Sequence, residues 1–236
     1  MTIKLSSGGR RQSVGKVSRG AAAFAAAWVG VVSAALVTTG SVAADSLVDH
    51  LSGALESVEV SDLYVFPGEP PTTKVAGGVV LIRDFRNRVV TATLSTSALT
   101  PGHAYSLLWA VFNNPWFCSY PCNVNDLEAL GGDPRTDVSV FWAGGLLADE
   151  NGYGSATIRL VPGPTSREPF AGSNSSGLRQ TRFGWAEIRV GVRDHGPATT
   201  GMIAKQIGTS NESCLNEPPK DPCFNAFISF HPPLAE

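Results

Sequence analysis

Apolar and polar residues alternate with a period of two along several short stretches of this chain, the pattern of strands with one buried face. Val90, Ala92 and Leu94 share one face of the run Val89 to Ser95, and Ala156, Ile158 and Leu160 repeat the pattern. Ala186, Ile188, Val190 and Val192 alternate with Glu187, Arg189 and Gly191, and Phe224, Ala226, Ile228 and Phe230 alternate with Asn225, Phe227 and Ser229. The pair Asn151-Gly152 before Ala156 predicts a tight hairpin, because both central residues of a type I′ turn need positive φ.

Two further runs, Ala104 to Phe112 and Val138 to Leu147, carry no charge at all. Uncharged runs of that length, bounded by turn residues, predict central strands buried on both faces. With Leu63–Phe66, preceded by Val58 and Val60, and with Val75–Ile82, the count reaches about eight strands. Ser46–Ser57 and Thr199–Ile207 are the segments that fit short helices. The expected fold is all-β, an antiparallel β-sandwich. Its loops are unequal: Asn113 to Arg135, Val161 to Phe183 and Asp194 to Pro222 are long for a compact domain, and long connections are where function concentrates.

The first 44 residues follow a different pattern. Lys4, Arg10, Arg11, Lys16 and Arg19 precede an uncharged, Ala- and Val-rich run from Gly20 that ends Val42-Ala43-Ala44. A basic head, an apolar stretch and a small-residue exit predict a signal peptide over 1–44 and a single β-sandwich domain over 45–236. An uncleaved membrane anchor is the alternative, and Arg10-Arg11 leaves a twin-arginine export signal open. The chain has 18 basic and 20 acidic residues, net −2. Removing the leader takes five positive charges with it and leaves an acidic domain. That balance argues against nucleic acid. At 16% charged residues, against an ordinary share of about 25%, the surface is built largely from Ser, Thr, Asn and Gly. The expected location is the exterior or the cell envelope, with no cofactor and with an extracellular ligand, a glycan or a protein surface.

All four cysteines lie past the leader. An even count in an exported protein predicts disulfides, here the local pairs Cys118–Cys122 and Cys214–Cys223, with Pro121 shaping one loop and Pro218, Pro219 and Pro222 the other. Zinc would need thiolates in a reducing compartment and a regular ligand spacing. The most distinctive stretch runs Leu99-Thr-Pro-Gly-His-Ala-Tyr-Ser-Leu-Leu-Trp-Ala-Val-Phe-Asn-Asn-Pro115. With Cys118, Cys122, the run Asp137 to Gly145 and Arg193-Asp-His-Gly-Pro197, it resembles a group of uncharacterised exported bacterial β-sandwich proteins, over about Val75 to Pro233. The resemblance implies compartment and fold, and no activity.

Three sets of residues carry candidate chemistry. His103, His195 and His231 fall at strand ends and would bind a metal if they met at one rim, although no short His-x-His pair seeds a site. Catalysis by His103, Asp194 and His195 needs a base, a nucleophile and an orienting group in reach. Adjacent strand residues such as Asp194 and His195 point to opposite faces, and Asp194 more simply caps the turn to Gly196. No serine sits in a Gly-x-Ser-x-Gly elbow. Asp126, Glu128, Asp133, Asp149 and Glu187 offer carboxylates for glycoside hydrolysis, with separations that sequence does not give. Asn123, Asn125, Asp126, Glu128 and Asp133 offer oxygens for Ca²⁺ but miss the EF-hand pattern, and Asn125 to Glu128 fits a capped helical turn. The favoured binding surface is the loop with Trp116, Phe117 and Tyr120 beside Asn113 and Asn114, held by the small disulfide: exposed aromatics with polar handles.

Overall fold

The computed structural model describes residues 56–66, 72–118, 121–167, 169–170, 172–216 and 223–234. The segment expected to be a signal peptide, residues 46–55 of the expected first helix and Tyr120 lie outside them. The described chain is all-β and antiparallel: β1 (Glu56–Val65), β2 (Lys74–Asp84), β3 (Val89–Thr96), β4 (His103–Phe112), β5 (Val138–Leu147), β6 (Gly154–Leu160), β7 (Glu187–Pro197) and β8 (Phe224–His231), with one short helix, α1 (Ile203–Gly208). Each of the eight segments read from alternation or lack of charge forms a strand. Residues 56 and 57 begin β1, so the helix expected over Ser46–Ser57 does not include them.

The strands form one sheet in the order β5-β4-β7-β8-β1-β2-β3-β6. The join between β8 and β1 is narrow: only Tyr64 with Ile228 and Val65 with Phe227 are paired. The sheet folds at this seam, so that the half β5-β4-β7-β8 packs on the half β1-β2-β3-β6 and the end strands β5 and β6 meet. The sandwich therefore takes the form of a single sheet bent almost into a barrel. Its core is filled by the alternating residues: Val79 and Leu81, Val90, Ala92 and Leu94, Leu107, Trp109 and Val111, Ile158 and Leu160, and Ile188, Val190 and Val192. Each large apolar side chain buried in this way contributes roughly 1.5–3 kcal/mol.

Two local expectations change. Gly152 has φ +76° as a tight turn requires, but Asn151 does not share it. Asp149 instead shapes the turn, its Oδ1 accepting from the amides of Asn151 and Tyr153 at 2.8 Å. The strand that follows pairs with β3, not with β5, so no hairpin forms there. β4 is central, as its lack of charge predicts, whereas β5 is an edge strand. Its first half is buried on both faces because the 161–183 loop lies along it: Phe170 and Asn174 donate to the carbonyls of Val140 (2.7 Å) and Val138 (3.1 Å).

The same covering extends over the outer face of β4 and β5. Phe112, Val138 and Val140 point away from the main core and bury against Cys122 and Leu127 of one loop, with Phe170 of another packed beside them. The Cys118–Cys122 disulfide pins the first of these loops. Asn123 caps a 3₁₀ turn over Val124–Asp126 in a reciprocal capping box with Asp126, two residues earlier than the cap expected at Asn125. A second small core thus lies outside the first.

Candidate functional site

The outer face of β4, β7 and β8 holds a pocket beneath this loop layer. Leu108, Ala110, Phe112, Gly191, Phe227 and Ile228 form its floor and sides, and Val124, Leu127 and Phe170 close over it. Gly191 supplies the space: a Cβ there would only touch Leu108 at 3.5 Å, so the glycine leaves a gap in the strand surface. The pocket has a volume of about 80 Å³, room for one apolar side chain or the end of an alkyl chain. Arg189 lines it and is held by the buried Glu187 at 2.7 Å, with its guanidinium over the rings of Phe112 (5.0 Å) and Phe230 (4.4 Å). Burial pushes the Glu187 carboxyl up, against the pull of Arg189.

Phe170 also lines a second, wider pocket of about 460 Å³, with Trp142, Arg167, Thr209, Ser210, Asn211 and Glu212. Here the Arg167 guanidinium stacks 4.1 Å from the Trp142 ring and donates to the Trp142 carbonyl at 3.0 Å. The Trp142 indole N–H donates to the Ile207 carbonyl at 2.9 Å, fixing the ring. Arg193 stacks 4.9 Å from Phe170 and bonds the Ser210 carbonyl and the Asn211 side chain. An apolar slot and a polar pocket with an aromatic platform therefore adjoin across one phenylalanine.

In the aromatic loop the structure separates the ring pair from the buried Asn113. Trp116 is 53% exposed, but Arg182 lies 4.7 Å over its ring and Arg135 4.3 Å over that of Phe117. Asn113 is fully buried and structural: it donates to the carbonyls of Asp137 and Gly177 and accepts from the Arg179 amide at 2.8 Å. Asn114 donates to the Arg135 carbonyl at 2.7 Å. Trp116 and Phe117 remain a surface pair. Asn113 is spent on holding the loop, whereas Asn114 keeps its Oδ1 without a hydrogen-bond partner among the described residues.

The histidines do not converge. His231 pairs with Ile188 on β7, seven residues from His195 on that strand, a separation of roughly 23 Å at 3.3 Å per residue. A single metal site for the three is excluded by that distance. His103 Nδ1 instead meets Asp194 at 3.0 Å, and Asp194 also accepts from the Gly196 amide at 2.7 Å, capping the turn. Both face the inner side beside Tyr105, whose phenol is pushed up to about 12 by burial and then by the Asp194 charge. His195 points to the other face, as alternation requires. It bonds Ser106 Oγ through Nε2 at 2.9 Å, and its Nδ1 lies 3.0 Å from the Glu212 carbonyl and 3.3 Å from Cys223 Sγ. Ser106 and His195 are fully buried, and no residue of the His103–Asp194–His195 set lines either pocket. A serine–histidine pair is present without access for a substrate.

Of the carboxylates, Glu187 is tied to Arg189, Asp133 to Arg135 and Asp137 to Arg179. Both expected disulfides are present and point to an oxidising compartment. Among the described residues no helix is long and apolar enough to cross a membrane. No protein-family model and no curated protein matches the chain.

The sequence reading missed Gly191, Trp142 and Arg167. A signal existed for the first: Leu108, Ala110 and Phe112 are apolar on the face opposite Leu107, Trp109 and Val111, so both faces of β4 had to be covered. Gly191, on the neighbouring strand, is the small residue that leaves space beneath the cover.

Proposed function

We propose that the mature chain is an exported, non-catalytic binding module whose ligand is amphiphilic, with a short apolar group in the slot over Gly191 and a hydroxylated or anionic part against Trp142 and Arg167. The observation that carries this reading is the adjacency of the two pockets across Phe170. Apolar cavities with a few convergent polar groups are the usual form of small-ligand sites. Arg167 supplies charge for an anion, and Thr209, Ser210, Asn211 and Glu212 supply donors and acceptors for hydroxyl groups. Burial of the Ser106–His195 pair supports binding over catalysis. The paired disulfides and the leader pattern support export.

The test is fluorescence titration with anilinonaphthalene sulfonate, an apolar ring system carrying an anion, and displacement by octyl glucoside below its micelle concentration. Gly191→Val fills the slot with a residue suited to a strand. It is expected to weaken probe binding at least about tenfold, the loss of about 1.4 kcal/mol expected when a side-chain-sized apolar contact is removed. Trp142→Ala is expected to weaken displacement by the glucoside. Trp116→Ala, on a separate surface, is expected to change neither. Loss of binding in Trp116→Ala with full binding in Gly191→Val overturns the outer-face site.

A further inference from the structure

A second site stands apart from the slot over Gly191. His195, Cys214 and Cys223 bring Nδ1 and two sulfurs within 4.8 Å of one another. We propose that opening the Cys214–Cys223 disulfide converts this cluster into a three-ligand site for Cu(I), so that metal binding here is gated by thiol redox state.

The fold holds all three ligands together, and that favours the conversion. Cys223 immediately precedes β8, whose Phe224 pairs with Asp194, so Cys223 and His195 are fixed by one ladder. Cys214 lies in the loop after α1, outside any strand, and its neighbour Leu215 donates to the His195 carbonyl at 2.7 Å, which ties this part of the loop to His195 as well. Two thiolates on one ion stand about 4 Å apart, given metal–sulfur bonds of about 2.3 Å. Once the S–S bond is opened, rotation of the two cysteine side chains supplies that separation.

The imidazole is equally prepared. Nδ1 faces the sulfurs and the Glu212 carbonyl, while Nε2 faces the Ser106 hydroxyl. To bind a metal through Nδ1, the neutral ring must carry its proton on Nε2. A serine hydroxyl both donates and accepts, so the Ser106–His195 bond survives with its direction reversed. The resulting two thiolates, imidazole and Cu(I) carry one net negative charge, and Arg193, whose charge acts on His195, lies near to offset it. Soft sulfur ligands select Cu(I) or zinc. Among the described residues, the buried His195 and Cys223 and the half-buried Cys214 offer three ligands, a number that suits Cu(I) better than structural zinc, which takes four.

The chemistry balances with a dithiol as reductant. The S–S bond accepts two electrons and two protons and gives two thiols, while the dithiol is oxidised to its own disulfide. Cu(I) then displaces both thiol protons to solvent. In vitro a phosphine serves instead, taking oxygen from water to become the phosphine oxide and leaving no competing thiol.

The experiment is phosphine reduction of the protein, then competition for Cu(I) against bathocuproine disulfonate, with near-ultraviolet circular dichroism recorded throughout. The reduced wild type is expected to take up copper that the oxidised protein does not. His195→Asn, which keeps a donor for the Glu212 carbonyl but offers no metal ligand, is expected to lose affinity by about tenfold to a hundredfold, as does Cys214→Ser. Any copper left on Cys214→Ser is held by the Cys118–Cys122 pair or by the remaining Cys223 and His195, and Cys118→Ser, which keeps His195, Cys214 and Cys223, is expected to retain the uptake on reduction. Equal affinity in wild type, His195→Asn and Cys214→Ser overturns the proposal. So does a reduced wild type that loses its near-ultraviolet signal and does not regain it with Cu(I).

Discussion

His231 shows how a buried ionisable group ties stability to pH. It is fully buried at the end of β8, bonded through Nε2 to Ser229 Oγ at 3.2 Å, with no hydrogen-bond partner for Nδ1 among the described residues. Burial, reinforced by the charge of Arg83, lowers its pKa to about 4, against about 6.5 in an unfolded chain. Between those two values the unfolded chain binds more protons than the folded one, so stability rises with pH across that window. The contribution is complete above pH 6.5 and is lost as pH falls toward 4, with a magnitude of roughly 3 kcal/mol. His195 acts in the same direction, since burial lowers its pKa too. Urea midpoints of the wild type are expected to fall steeply between pH 7 and pH 4. In His231→Gln the fall is expected to be smaller by the larger part of that amount; an equal fall would remove His231 from this role.

Among the strands, β2 depends on a glycine. Its ladder with β1 shifts register between Asp62 and Leu63, and Gly77 takes up the irregularity at φ +105°, where a Cβ would lie 2.2 Å from the Ser95 carbonyl oxygen. Gly77→Ala therefore meets both backbone strain and a backbone clash, and is expected to cost roughly 2–3 kcal/mol by chemical denaturation. A cost under about 0.5 kcal/mol, typical of surface substitutions, would mean the bulge is not required. Strand existence was legible in the sequence because alternation at Val90, Ala92 and Leu94 or at Ile188, Val190 and Val192 reports a buried face directly. Strand partners were not. The order β3-β6 and the edge position of β5 depend on long-range pairing that a local pattern does not encode. The outer-face site was hidden for a related reason. Glu187 and Arg189 read as solvent residues by alternation, and become buried only because the Asn113–Arg135 and Val161–Phe183 loops fold back over them. Those loops were identified as functional territory by their length, but not the pocket beneath them.

The folded sheet as a whole leans on its seam, where the ladder between β8 and β1 has two pairs. Arg83, fully buried, reaches across that region: its Nε binds Glu59 at 2.7 Å, Nη1 donates to the carbonyls of Phe183 and Ala186, and Nη2 to the carbonyl of Pro232. One side chain thus ties β1 and β2 of one half to the segments flanking β7 and β8 of the other. A buried cation costs much to desolvate, and it holds here because a carboxylate and three carbonyls replace its water. Arg83→Met keeps much of the volume but leaves Glu59 and three carbonyls without their donor, an expected loss of roughly 3–5 kcal/mol. Glu59→Gln added to Arg83→Met is expected to recover part of it, since the stranded carboxylate is removed. The same substitution carries a second signature. Because the Arg83 charge helps hold the His231 imidazole neutral, its removal should move the His231 titration upward, toward its ordinary range, in a nuclear magnetic resonance pH series. A loss of stability with an unmoved His231 titration would show that Arg83 braces the seam only through its hydrogen bonds; both changes together would show charge and seam acting as one unit.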